Sequence, residues 1–174
     1  MPNVTSQIVA CIPALRRYAR GLTRNKEDAD DLVQDTLERA WRRHALWQQR
    51  GDLRAWLFSI LHNRFVDRVR ALRASPAEPM DSETGSGEGI AVPARATQSD
   101  RLEVRDLDAA LARLVPDQRE VLLLVAVEQM SYEQIAGVLN IPLGTVMSRL
   151  SRAREQLRGV LEGREVISRL KVVK

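Results

Sequence analysis

An all-α fold of two small helical domains joined by a flexible linker is predicted by three features of the 174-residue chain. Apolar residues recur at helical spacing through the first and last thirds, no strand-like alternation lasts more than a few residues, and an acidic stretch rich in Pro, Gly and Ser separates the two. The division places one domain at 1–73, a linker at 74–100, a second domain at 101–162 and a basic tail at 163–174, the last expected to fray.

The first helix is read over 8–22. Asn25 then supplies an N-cap, with Glu27 and Asp28 in the first turn of a helix reaching about Arg43. Val33, Leu37, Ala40 and Trp41 lie on one face of it as the core stripe. Asp31, Asp35 and Glu38 fall at i, i+4, i+7 on another, with Gln34 beside them. Such an acidic stripe in a basic block is either a solvated face or a docking surface for a basic partner. A loop over 44–53 leads to a long helix over 54–73, whose apolar side is Leu57, Leu61, Phe65, Val69 and Leu72. Asn63, Asp67 and Arg70 share its polar stripe, and Arg64, Arg68 and Arg73 add charge nearby. A basic helix beside an aromatic-bearing loop suits single-stranded DNA, which needs cations for its phosphates and rings or pockets for its bases. Trp41 and Trp56 are assigned to the core, and Trp47 is left between core and surface.

In the second domain a helix over 100–114 carries Leu107, Ala110, Leu111 and Leu114, and Asp117 with Glu120 has cap and third-position spacing for the next helix, through Val127. Ser131 and Gln134 then form a capping-box pattern, Asn140 suits a left-handed turn, and Pro142 suits the start of another helix. That final helix buries Leu143, Val146, Leu150, Ala153 and Leu157, and presents Thr145, Ser148, Arg149 and Arg152 at i, i+3, i+4, i+7. Small polar and Arg side chains on one exposed stripe can reach base edges and phosphates in a major groove, so the pair reads as a helix-turn-helix.

Charge distribution supports a nucleic-acid partner. Residues 1–73 hold 14 Lys/Arg against 8 Asp/Glu, 74–100 hold 1 against 5, and 143–174 hold 8 against 3, so positive charge gathers at both proposed DNA-contacting helices. Cys11 is the sole cysteine, which excludes an intrachain disulfide and suits a reducing compartment. The N-terminus lacks a leader pattern and the longest aliphatic run, 121–127, is too short to span a bilayer, so a cytoplasmic protein without membrane insertion is expected. His44 and His62 are too isolated to build a metal or nucleophile site with Cys11, and Gly85, Gly87 and Gly89 lack the strand and Lys-Ser/Thr context of a phosphate loop. No catalytic residue, metal or cofactor is expected.

The chain resembles the extracytoplasmic-function type of bacterial sigma factor over about residues 8–162. The motifs are Asp30-Asp31-Leu32-Val33-Gln34-Asp35-Thr36 with Ala40-Trp41, and Arg54-Ala55-Trp56-Leu57 with Asn63 and Asp67. Pro116-Asp117-Gln118-Arg119-Glu120-Val121 follows, then Ser131-Tyr132-Glu133-Gln134-Ile135-Ala136, Gly144-Thr145-Val146 and Ser148-Arg149. The resemblance implies that Asp31, Leu32, Gln34 and Asp35 lie on the helix that grips the beta-prime clamp of core RNA polymerase. It implies that Asn63, Arg64, Asp67 and Arg70, with the 44–53 loop, engage and help open the -10 promoter element. Thr145, Ser148, Arg149 and Arg152 would contact the -35 element, and an anti-sigma factor would control the whole. Met147 stands where the family often has a basic residue, which argues against a DNA contact there. One competing reading is a conventional helix-turn-helix regulator that binds a duplex operator without polymerase, which no dimer heptad favours; another is an anti-sigma or scaffold protein using these helices only for protein contacts, which leaves the Arg149 and Arg152 stripe unexplained.

Overall fold

The computed structural model describes residues 3–44, 47, 51–74, 105 and 107–162, and all regular structure among them is helical. The linker and the tail read from sequence lie almost wholly outside the described residues; Ala74, assigned to the linker, is the last residue of a helix.

Helix α1 (Val4–Thr23) starts one turn earlier than its apolar pattern suggests because Asn3 caps it, accepting from the Thr5 backbone N–H. Pro13 sits inside α1 at an exposed position, where the carbonyl left without an amide partner belongs to exposed Val9 and can turn to water. The chain leaves α1 through Arg24 in the left-handed region (φ 56°), and Asn25 caps α2 (Lys26–Arg43) by accepting from Asp28 N, as the sequence predicts. Helix α3 (Leu53–Ala74) completes a three-helix bundle in which α1, α2 and α3 all touch one another. Its centre holds Leu15, Tyr18, Leu32, Leu57, Phe58 and Leu61, with the Tyr18 and Phe58 rings 5.2 Å apart.

The C-terminal block comprises α4 (107–112), α5 (Pro116–Ala126), α6 (Tyr132–Leu139) and α7 (Leu143–Leu161), with α7 packed on α5 and α6. Val121, Leu124, Ile135, Val146 and Ala153 are fully buried there. The Ser131–Gln134 capping box forms in both directions, Asn140 adopts φ 52° at the turn, and Pro142 is the N-cap of α7 rather than its first helical residue.

Four sequence expectations fail for identifiable reasons. Trp41 is 54% exposed and stacks on His44, because Ala40 already fills the core position next to it. Leu72 lies beyond the end of the bundle and is exposed, and Leu143 sits in the first turn of α7 before that helix reaches the core. Asp117 and Glu120 make no capping pair: Val115 is the N-cap of α5 without a side-chain bond, Pro116 occupies the first turn, and Glu120 turns inward.

The two blocks are in direct contact, α1 against α5 and α3 against α6. Gly21 allows the first of these approaches, since a Cβ there would lie 2.6 Å from Leu123 Cδ1. No described helix is long and apolar enough to cross a membrane.

Candidate nucleic-acid and polymerase interface

The acidic stripe of α2 lies where its spacing places it. Asp31 and Gln34 are exposed and Asp35 is half-buried, whereas Leu32 is fully buried, so its side chain anchors the stripe from beneath instead of meeting a partner. The stripe is partly neutralised from α3. Arg64 Nη2 donates to Asp35 Oδ2 at 3.3 Å, and Arg68 Nη2 donates to Asp28 Oδ1 at 2.8 Å. One residue of the proposed polymerase set is therefore bonded to one of the proposed -10 set. Arg64 also lies 3.9 Å from Asp67, one turn along α3. Asn63, Asp67 and Arg70 are exposed on the same helix.

Of the 44–53 loop, residues 45, 46 and 48–50 lie outside the described residues, and Trp47 and Asp52 both contact neighbouring helices. Trp47 stacks on Trp56 with ring centroids 6.0 Å apart, and both are half-buried, so the pair fixes Trp47 against α3. Asp52 caps α3 by accepting from Arg54 N at 2.9 Å, while its other oxygen accepts from Gln134 Nε2 of α6 at 2.8 Å.

The stripe on α7 faces outward. Ser148 and Arg152 are exposed and Thr145 is half-buried, with the Ser148 hydroxyl donating to the Thr145 carbonyl. Arg149 is held: its Nη2 lies 2.6 Å from Asp117 Oδ2, in the first turn of α5. Met147 is exposed on the same helix.

Sequence reasoning missed a buried polar seam between the blocks. The Glu128 side chain is wholly inaccessible, and its Oε2 accepts from Arg54 Nη2 at 2.6 Å and Arg17 Nη2 at 3.4 Å. Gln129, next in the chain, takes the left-handed region (φ 53°) in the turn that follows α5. Glu120, also buried, accepts from the Tyr18 hydroxyl at 2.9 Å and contacts His62 Nδ1 through the same oxygen. Burial first, and then the Glu120 charge, push the Tyr18 phenol well above its ordinary value, so it stays a donor. Arg119 Nη2 donates to the Leu22 carbonyl at 3.3 Å, and Arg24 pairs with Asp108 at 3.5 Å. The available signal was Glu120 itself, an acid one turn before Leu124 on the face that should have been apolar. No group of three or more His, Cys, Asp and Glu side chains among the described residues is placed to hold a metal ion.

Two family models match separate parts of the chain, the "Sigma2 domain of PhyR" at residues 8–62 and "Sigma-70, region 4" at residues 105–157. The ECF RNA polymerase sigma factor EcfG of Rhodopseudomonas palustris is 37% identical over 91% of this chain and 85% of its own. The chain belongs to the extracytoplasmic-function sigma factors. RNA polymerase sigma factor CnrH of Cupriavidus metallidurans is 35% identical to this sigma factor over 86% of the chain and 81% of its own length. Among solved structures, the sigma factor RpoE of Bartonella quintana, in complex with the anti-sigma factor NepR, superposes with a TM-score of 0.73 at 33% identity, covering 91% of this chain and 96% of that one. CnrH in complex with the cytosolic domain of CnrY gives 0.67 at 27% identity, covering 92% and 88%. The sigma factor shares with these proteins an all-helical fold in which the region-4 match spans the helix-turn-helix.

Proposed function

We propose that this sigma factor docks on the clamp of core RNA polymerase through Asp31, Gln34 and Asp35, with Leu32 anchoring them from the core. It engages and helps open the -10 element with Asn63, Arg64, Asp67, Arg70 and the 44–53 loop, and reads the -35 element with Thr145, Ser148, Arg149 and Arg152. The observation that carries this reading is the stripe of α7, where Ser148 and Arg152 are exposed and Arg149 lies beside them, partly covered by its pair with Asp117, on the second helix of a helix-turn-helix. The protein acts in the cytoplasm without chemistry of its own: capturing unstacked bases shifts the melting equilibrium. The complexes of RpoE with NepR and of CnrH with CnrY support control by an anti-sigma factor.

The functional units are a polymerase and -10 domain at 1–73, a linker at 74–100, a -35 domain at 101–162 and a basic tail at 163–174. The two elements lie about 25 base pairs apart, roughly 80 Å of duplex. A folded chain of this length is about 40 Å across. The contacts between α1 and α5 and between α3 and α6 therefore open when both elements are bound, and the polymerase holds the two heads at promoter spacing.

Run-off transcription with purified core enzyme tests the function, and absence of initiation across a genomic promoter library overturns it. For the docking surface, Asp35→Arg reverses the charge of a stripe residue that in the wild type accepts from Arg64. It should lower core affinity about tenfold or more. Undiminished co-purification with core enzyme would refute the assignment.

A further inference from the structure

Within the outward stripe of α7 one residue is treated differently from its neighbours. Arg152 is exposed and makes no ion pair with the described residues, while Arg149 is drawn to α5 by Asp117, Nη2 to Oδ2 2.6 Å. The Arg149 side chain is 26% exposed and Asp117 is 58% exposed. With the Asp117 carboxylate more than half exposed, water competes for the pair and it adds little to stability, so support of the fold is a weak account of it. Asp117 does not serve as a cap either, because Val115 holds that position.

We propose that Asp117 is a positioning residue for promoter reading, aiming the Arg149 guanidinium at a base edge in the -35 element and away from the phosphates. The proposal rests on the reading of α7 as the groove-entering helix. Three physical consequences of the pair support it. A guanidinium is a planar fork with five N–H donors; when Asp117 takes one of the two hydrogens on Nη2, the other Nη2 hydrogen still forms an edge with the adjacent Nε or Nη1 donor, which suits two acceptors in one plane, the pattern guanine presents through O6 and N7. An unrestrained arginine also loses much rotamer freedom when it settles on a base, and a side chain already fixed on α5 loses less. Finally, a carboxylate beside the guanidinium repels phosphate, so the competing contact that every sequence offers equally is weakened at this residue. Arg152, without such a neighbour, is left to the backbone.

The test uses holoenzyme reconstituted from core polymerase and the full chain, transcribing a template library randomised through the -35 element, with transcripts sequenced. Wild type should show a base preference at one position that Arg149→Ala abolishes. Asp117→Asn, which keeps size and shape but removes the charge, should flatten the preference at that same position by about 5- to 10-fold while leaving the others intact. It should also steepen the salt dependence of template binding, as Arg149 turns to phosphate. Asp117→Glu should recover part of the preference, and the Asp117→Asn/Arg149→Ala pair should behave like Arg149→Ala alone. A preference undiminished in Asp117→Asn, alongside its loss in Arg149→Ala, overturns the positioning role and leaves the α7 reading standing. Preferences unaltered by Arg149→Ala overturn the positioning role, and promoter use undiminished as well overturns the α7 reading with it. Additive losses in the pair would show that Asp117 acts on something other than Arg149 and would also reject the proposal.

Discussion

Arg54→Ala is expected to separate the two halves of the molecule without unfolding either one. Arg54 makes the shorter of the two bonds to Glu128, at 2.6 Å, and its removal leaves that wholly buried carboxylate with Arg17 alone at 3.4 Å. Stripping a buried ion of its main partner costs about 3 kcal/mol, because the charge remains desolvated while its compensation is gone. Rehydration is the escape, and it requires the blocks to part. The same free energy is a shift of roughly 100-fold between closed and open forms. Small-angle scattering should show a larger radius of gyration, and denaturant unfolding should split into two transitions, one for the α1–α3 bundle and one for the helices packed around α7. A radius and a single transition identical to those of the wild type would show that apolar contacts such as Gly21 with Leu123 suffice to hold the blocks.

The composition of the seam fits a contact made to be broken. Glu120, Glu128, Asp52 and Asp108 each bond across it to Tyr18 and His62, Arg17 and Arg54, Gln134, and Arg24. Groups of this kind recover much of their bonding from water on separation, whereas a purely apolar joint would resist opening in proportion to its area.

What sequence reading recovered, and what it missed, follow one physical division. Caps and periodicity are local: Asn25, the Ser131–Gln134 box and Asn140 are each fixed by residues within one turn, and all three behave as their chemistry requires. The α7 stripe was legible for the same reason, because four positions at helical spacing share a face whatever lies around them. Partners across the chain were not legible. Asp117 and Glu120 look like a cap from their spacing, yet one bonds Arg149 and the other Tyr18, 32 and 102 residues away in the chain. Trp41 and Leu72 fit helical stripes that extend past the edge of the bundle, and periodicity carries no information about where a neighbour ends.

The two arginines of α7 should fail differently. Arg149→Ala is expected to cost promoter use about 1 to 3 kcal/mol and to change which base pair is preferred at one position of the -35 element. Arg149 is restrained and three-quarters buried, so it has one direction in which to donate, and the loss of a directional donor is felt only where its acceptors sit. Arg152→Ala, by contrast, removes an exposed cation without an ion pair among the described residues. Its loss should weaken all promoters alike and lower the salt slope by about one. Measuring open-complex formation by holoenzyme on variant promoters, at several salt concentrations, separates the two. A uniform loss for Arg149→Ala would make that residue a phosphate contact and move base reading to Thr145 and Ser148, whose short hydroxyl side chains reach a base edge only if α7 lies deeper in the groove.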